Sequence, residues 1–309
     1  MKFAVIALFL SATAADAFPV TVKSCNREVT FDAPPTRAIS NDVNLTEMML
    51  VLGLRDQMVG YTGVSGWKTL DPVMREGVAE LPELSALYPS KEVLVGAEAD
   101  FFFGGWNYGM KVGGEVTPET LEPFGIKTYE LTESCIFVGT KAKSSMEDMY
   151  ADILNLGLIF GVADRAKALV SGYRARLAEV TAGVDRSAPL RVFVYDSGEE
   201  TPFTAGKYAM PTAMIEAAGG RNIMDDLEKS WATVAWEPVV ERNPEVIVIV
   251  NYGDVTAEQK IDFLEGNPAF AGIDAIKNDR YVVLEYVEAT PGPRNIKAVE
   301  KLVAGFVAE

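Results

Sequence analysis

The stretch WATVAWEPVVERNPEVIVIVNYGD (residues 231–254) sets Trp231, Trp236 and Glu237 in a polar approach to a short helix, where nothing local requires two large rings. Rings outside a helix or strand interior can stack on a ligand or hold a cation on their faces. Similar groups recur along the chain: Trp67, then Trp106 and Tyr108 in GGWNYG, then Glu133. Further on come Tyr195 and Phe203 in YDSGEETPF, Tyr252 in NYGD, and Tyr286 and Arg294 in EYVEATPGPR. Stacking and charge recognition are the chemistry such a set supports. The competing chemistry is acid–base hydrolysis by a pair drawn from Glu133, Asp196 and Glu199, and a carbohydrate would also account for aromatic walls. No particular pair is marked. A single ring more often fills a core than faces a ligand, so the recurrence carries the reading. Residues 101–103, FFF, belong to a core.

What the chain lacks narrows the field. It has no histidine, which removes the commonest zinc ligand, the usual general base and the hydrolytic triad. Neither a G-x-x-x-x-G-K-[ST] nor a G-x-G-x-x-G motif occurs, and AGKY (residues 205–208) has Tyr208 where a phosphate loop needs a hydroxyl for magnesium. No resident cofactor or metal site is expected, and the protein is expected not to be an enzyme. The net charge of −16 disfavours nucleic acid and anionic lipid as partners.

The opening residues MKFAVIALFLSATAADA combine Lys2, an apolar run and a small-residue cleavage site. They read as a signal peptide over residues 1–17, too short for a permanent span. No cysteine follows the cleavage site and no other run could insert in a membrane, so a soluble exported protein is expected. In an oxidising compartment the two cysteines, Cys25 and Cys135, are expected to form a disulfide. Cys25 lies in an amphipathic hairpin pattern turning at Asn26-Arg27.

The elements that must position these groups are legible as alternating patterns. At 309 residues and 49% apolar, the chain can fill two domains. In residues 18–143, strand runs at 37–40, 58–63, 99–105 and 126–134 alternate with helical patterns. One helix, TPETLEPFG, starts at Thr117 and Pro118 and stops at Gly125. Residues 186–309 repeat the plan, with strands at 190–198, 245–253 and 280–288. Residues 144–185 show only helical spacing, interrupted near Gly161, and read as a long helix with a kink or as two abutting helices. The expected fold is α/β: two parallel-sheet lobes joined by one long backbone helix. In open parallel sheets, ligands meet the loops beyond the carboxyl ends of the strands. The aromatic and acidic groups fall there in both halves, which places a cleft between the lobes.

Over essentially the whole mature chain the sequence resembles the periplasmic substrate-binding proteins of ABC importers for ferric siderophores, haem and cobalamin. PFTAGKYAMPTAMIEAAGGRNIMDD, WATVAWEPVVERNPEVIVI and GPRN carry the resemblance, with YPSKEVLVGAEADFFF more loosely. It implies that Trp231 walls the cleft and that Glu92 and Glu237, one per lobe, dock on arginines of the inner-membrane permease. Locally, each acid is equally well explained as a helix-start carboxylate favoured by the dipole. Trp236 can wall the cleft or pack its helix on the sheet, and packing is the preferred reading. A monomer is expected.

For the ligand, the strand-end loops hold Arg294 and Lys207 against several acids, a balance unsuited to a polyanionic ferric catecholate. A neutral or cationic chelate of the ferric hydroxamate type suits aromatic walls better. Cobalamin is the main rival. Haem fits less well without an axial histidine, and capture of a bare cation would leave the rings unexplained.

Overall fold

The β-branched and aromatic runs are buried on both faces, because helices cover each side of the sheets they build. The computed structural model describes residues 18–66 and 70–307; the expected signal peptide and Trp67 therefore lie outside the described residues. In the first lobe the strands are β1 (Val20–Ser24), β2 (Arg27–Phe31), β3 (Ala38–Asn41), β4 (Met58–Thr62), β5 (Glu83–Ser85), β6 (Phe101–Trp106), β7 (Gly109–Met110) and β8 (Lys127–Glu130). β1 and β2 form an antiparallel hairpin. β5-β4-β3-β6 is a parallel sheet, continued by β8 and β7, which both pair with β6.

The second lobe adds β9 (Leu190–Tyr195), β10 (Phe203–Ala205), β11 (Gly220–Asn222), β12 (Trp231–Thr233), β13 (Val246–Asn251) and β14 (Tyr281–Glu285). Its main sheet is parallel in the order β11-β9-β13-β14, and β10 and β12 form a separate antiparallel ribbon. The expected two-lobed α/β plan is present.

The region between the lobes is two helices, Met146–Ile159 and Ala163–Thr181, folded back on each other. Arg174, late in the second, pairs with Glu147 at the start of the first. The reversal falls at Gly161, whose φ of 68° favours glycine. The second helix reaches both lobes: Arg165 donates to Leu52 O in the first lobe, and Arg176 pairs with Glu300 of the second at 2.6 Å. Its 19 residues span about 28 Å.

Several strands end earlier than their sequence runs, β8 and β14 for a visible reason. β8 stops at Glu130 because the Asp152 carboxylate takes Thr132 N at 3.1 Å and Thr132 Oγ1 at 2.6 Å, and a 3-10 helix, Thr132–Phe137, follows. β14 gives way to a helical turn, Tyr286–Ala289, that Glu285 and Glu288 cap reciprocally. The hairpin turn lies at Cys25-Asn26, with Arg27 already in β2 opposite Ser24. Cys25 is bonded to Cys135, as expected, with Cα atoms 5.0 Å apart. The bridge ties the hairpin to the turn after β8.

Candidate functional site

Strand ends from both lobes surround a cavity of about 370 Å³. Tyr88, Asn107, Tyr108 and Phe137 line it from the first lobe, and Asp196, Phe203, Ser230, Trp231, Val250, Tyr252, Tyr286, Ala289 and Thr290 from the second. Asn107 and Tyr108 sit in the turn between β6 and β7; Asp196 directly follows β9. The β10–β12 ribbon brings Phe203 and Trp231 together, stacked 5.8 Å apart and 20° from parallel. Tyr252 and Tyr286 meet at 5.3 Å, tilted by 56°.

The four tyrosine hydroxyls on this wall are engaged. Tyr252 OH donates to Asp196 Oδ1 at 2.8 Å, Tyr108 OH to Glu133 Oε1 at 3.4 Å and Tyr88 OH to Asn107 O. Tyr286 OH crosses to the first lobe and donates to Asp42 Oδ2 at 2.9 Å. Burial and the neighbouring carboxylates raise all four phenols above the ordinary tyrosine value, so they stay neutral hydrogen-bond donors. Asp42 adopts φ 73° and ψ 158°, a region essentially reserved for glycine, and its Oδ1 accepts Val43 N at 2.6 Å.

Glu133 lies behind the wall, fully buried. Its Oε2 accepts Met210 N at 2.6 Å, and its Oε1 accepts Ser230 Oγ at 3.3 Å. It thus holds a first-lobe ring, Tyr108, and two second-lobe segments. Burial pushes its carboxyl up to about 7, against the opposing charge of Lys141 and the Met210 hydrogen bond. Met210 opens the helix Met210–Ala217, whose N-terminal dipole favours an acid there.

Of the expected cleft residues, Tyr108, Phe203, Trp231, Tyr252 and Tyr286 line the cavity, and Glu133 supports it from behind. Three others lie elsewhere. Trp106 is in the core with Ile39 and Phe102; its indole Nε1 donates at 2.9 Å to Glu130, a buried acid that also takes Ser24 and Arg27. A buried carboxylate needs such donors, and the indole supplies one. Tyr195 is 1% exposed, packed among Trp236 and Phe263. Strand alternation turns it away and leaves Asp196 facing the cavity. Arg294 bridges the lobes instead, pairing with Glu47 at 2.7 Å and with Asp71. It lines a neighbouring crevice of about 410 Å³ that shares Tyr252 and Tyr286.

Trp236 packs, as preferred: it meets Phe193, Tyr195, Phe263 and Phe270, the last at 4.4 Å, and donates to Glu199 O at 2.7 Å. Glu92 and Glu237 are exposed in the first turns of helices Lys91–Gly96 and Trp236–Arg242. Its own N–H and the Ser90 hydroxyl hold the Glu92 carboxyl below the usual range.

Sequence reasoning missed Tyr88, Asn107, Phe137, Ser230 and Thr290 as wall residues. Tyr88 follows β5, which is three residues long and too short for a period to register. Asp196 was visible only as one acid among several. A second crevice of about 400 Å³ carries Lys143, Lys207 and Arg221, paired with Glu216, Glu228 and Asp225. Among the described residues no group of three or more carboxylates or thiols is placed to hold a metal ion. Nor is any helix among them long and apolar enough to cross a membrane.

Comparison with known proteins agrees with this geometry. A cobalamin-binding protein of Halobacterium salinarum is 28% identical over 245 residues, covering 77% of this chain and 60% of the relative. The chain thus spans about three fifths of that relative's length. A crystal structure from Saccharomonospora viridis, described as an ABC-type Fe3+-hydroxamate transport system, superposes with a TM-score of 0.81 at 26% identity, covering 94% of this chain and 100% of that one. A periplasmic binding protein from Veillonella parvula gives a TM-score of 0.79 at 27% identity, covering 93% and 96%. The sequence profile of the periplasmic binding proteins matches residues 116–286, from the first lobe's last helix and strand to the end of β14. With more than half of its length under that profile, and two lobes closing on one ring-lined cavity, this chain belongs to the periplasmic binding protein family.

Proposed function

We propose that this protein captures a neutral or cationic metal chelate, of the ferric hydroxamate type, in the interlobe cavity and delivers it to an ABC permease. One observation carries the reading: among the described residues, seven aromatic side chains and no arginine or lysine line the cavity, with Asp196 the one charged wall residue. A ferric catecholate or the propionates of haem would need cationic partners there. Direct capture of a bare ferric ion would need free phenolates or a carboxylate cluster, and the wall tyrosines are neutral and engaged. The likeness to the Saccharomonospora protein points the same way.

Cobalamin is the second reading. The halobacterial relative is named for it, and aromatic plates also suit a large amide-rimmed ring. A carboxylate hydrolase gains no support, since Glu133 is sealed behind Tyr108 and Ser230 and the family is one of binding proteins. Capture would take place in the periplasm, after removal of residues 1–17, by a monomer. Glu92 and Glu237 would register the loaded protein on the permease, one acid per lobe.

Titration of tryptophan fluorescence tests the reading, using a ferric trihydroxamate, cyanocobalamin, haemin and a ferric tricatecholate. Saturable quenching by the trihydroxamate, with the ligand recovered unchanged, is expected. Tighter binding of cyanocobalamin would move the assignment to the second reading, and preference for the tricatecholate or haemin would overturn both.

A further inference from the structure

Asp196 is an unusual group to find in an otherwise aromatic wall. It is 4% exposed, so its charge is largely removed from bulk water. Both of its hydrogen bonds fall on one oxygen: Oδ1 accepts Tyr252 OH and Ser197 Oγ, each at 2.8 Å. Oδ2 has no hydrogen-bond partner among the described residues, yet it is not among the sealed, partnerless atoms, so it opens to the cavity. No ion pair to Asp196 occurs among the described residues. Lys260 comes near, but its Nζ donates to the main-chain oxygens of Asp196 and Val250 at 2.5 and 2.6 Å and lies 4.9 Å over the Tyr252 ring. Its ammonium is thereby held on carbonyls: it acts on the carboxylate through space but makes no ion pair with it and leaves Oδ2 without a donor.

A buried carboxylate with one free oxygen is costly unless something supplies a donor there. The surroundings specify the donor. Trp231, Phe203, Tyr252 and Tyr286 present ring faces and edges to the same cavity, and aromatic faces attract a cation. One acid within a box of rings is the arrangement that suits an alkylammonium group. An anion would be repelled by Asp196, and a neutral amide would give Oδ2 a weaker hydrogen bond than a charged donor does.

We propose that Asp196, within the box formed by Trp231, Phe203, Tyr252 and Tyr286, is a specificity determinant that recognises a positively charged ammonium group on the ligand. The proposal rests on the chelate-binding reading and narrows it: the preferred chelate carries a net positive charge away from its metal. The metal end would then lie toward Tyr88, Asn107 and Tyr108 of the first lobe, and the ammonium toward the second.

A charge series on one chelate tests this. The wild-type protein is titrated with a linear ferric trihydroxamate bearing a terminal primary amine, with its N-acetyl derivative and with its N-succinyl derivative. The amine form should bind roughly tenfold tighter than the acetyl form or better, as expected of a charge-assisted hydrogen bond, and the succinyl form should bind weakest. Asp196→Asn keeps an acceptor for Tyr252 and should collapse the amine-to-acetyl ratio toward one, with a urea melt confirming the fold. Equal binding of the amine and acetyl forms by wild type would overturn the proposal without touching the chelate reading. If no trihydroxamate binds, that reading fails, and hexylammonium, which keeps its N–H donors, becomes the probe. Quenching in wild type that Asp196→Asn abolishes would uphold the ammonium site alone, and no quenching would overturn it.

Discussion

Trp231 stacks on Phe203 at the cavity wall, whereas Trp236 sits among Phe193, Tyr195, Phe263 and Phe270. The two rings should therefore fail differently when truncated. Trp231→Ala should weaken chelate binding by roughly tenfold, since an aromatic contact is worth about 1 kcal/mol beyond area burial, and should cost the fold little. Trp236→Ala should cost about 3 kcal/mol of stability and leave affinity nearly intact. Paired titrations and urea melts decide, and the opposite pattern would reverse the assignments. Glu133 gives a pH prediction. Its carboxyl is pushed up to about 7, so between its ordinary range and 7 the folded protein holds a proton that the unfolded chain has released. Stability should fall as pH rises across that window, at up to about 1.4 kcal/mol per pH unit for each such group. Asp152, also raised by burial to about 7, contributes in the same direction. Glu133→Gln should flatten the slope; melts from pH 4.5 to 7.5 with an unchanged slope would refute the assignment.

At the scale of elements, the helix pair between the lobes depends on close approach. A Cβ built at Gly157 would come 2.3 Å from Ala166 Cβ, so the two helices touch there with no room for a side chain. Gly157→Ala should destabilise by roughly 1–3 kcal/mol through overpacking. Adding Ala166→Gly should restore part of the loss if that contact is the cause, and a double-mutant cycle measures the coupling. Simple additivity would mean that the cost lies elsewhere. The same pair shows how much of an element is local: apolar spacing marked both helices, and Gly161 marked their break. Their folding back on each other needed Gly157 to meet Ala166, a contact that spacing along either helix does not reveal.

At the scale of the molecule, the lobes are held at the cavity by links between distant segments: Tyr286 to Asp42, Asn44 to Pro291 O at 2.7 Å, and Arg294 to Glu47 and Asp71. The two acids proposed to dock, Glu92 and Glu237, take no part in these links and are exposed on one helix of each lobe. Replacing both Glu92 and Glu237 by Ala should leave affinity and melting nearly unchanged while abolishing uptake of labelled chelate in cells. Normal uptake, or lost binding in vitro, would remove them from the docking role.

The class of the protein was legible in the chain alone. β-branched runs such as residues 246–250 read as strands covered on both faces, and their alternation with helices points to parallel sheets, whose carboxyl ends carry the ligand loops. Legible too was the pool of wall residues, because Tyr108, Phe203, Trp231, Tyr252 and Tyr286 all follow or flank strand ends. The tertiary structure decided which members of that pool face the cavity. Trp106 turned inward because Glu130, on a neighbouring strand, needed its indole N–H. Arg294 was claimed by Glu47 and Asp71 across the lobe boundary. The three-residue strands β5, β10, β11 and β12 were too short for any period, yet β10 and β12 set the Phe203–Trp231 stack. Asp196 stood out from the other acids only once one of its oxygens was seen without a partner. Burial patterns are local and periodic, so a chain displays them, whereas the pairing of buried polar groups joins residues far apart in sequence and exists only in the fold.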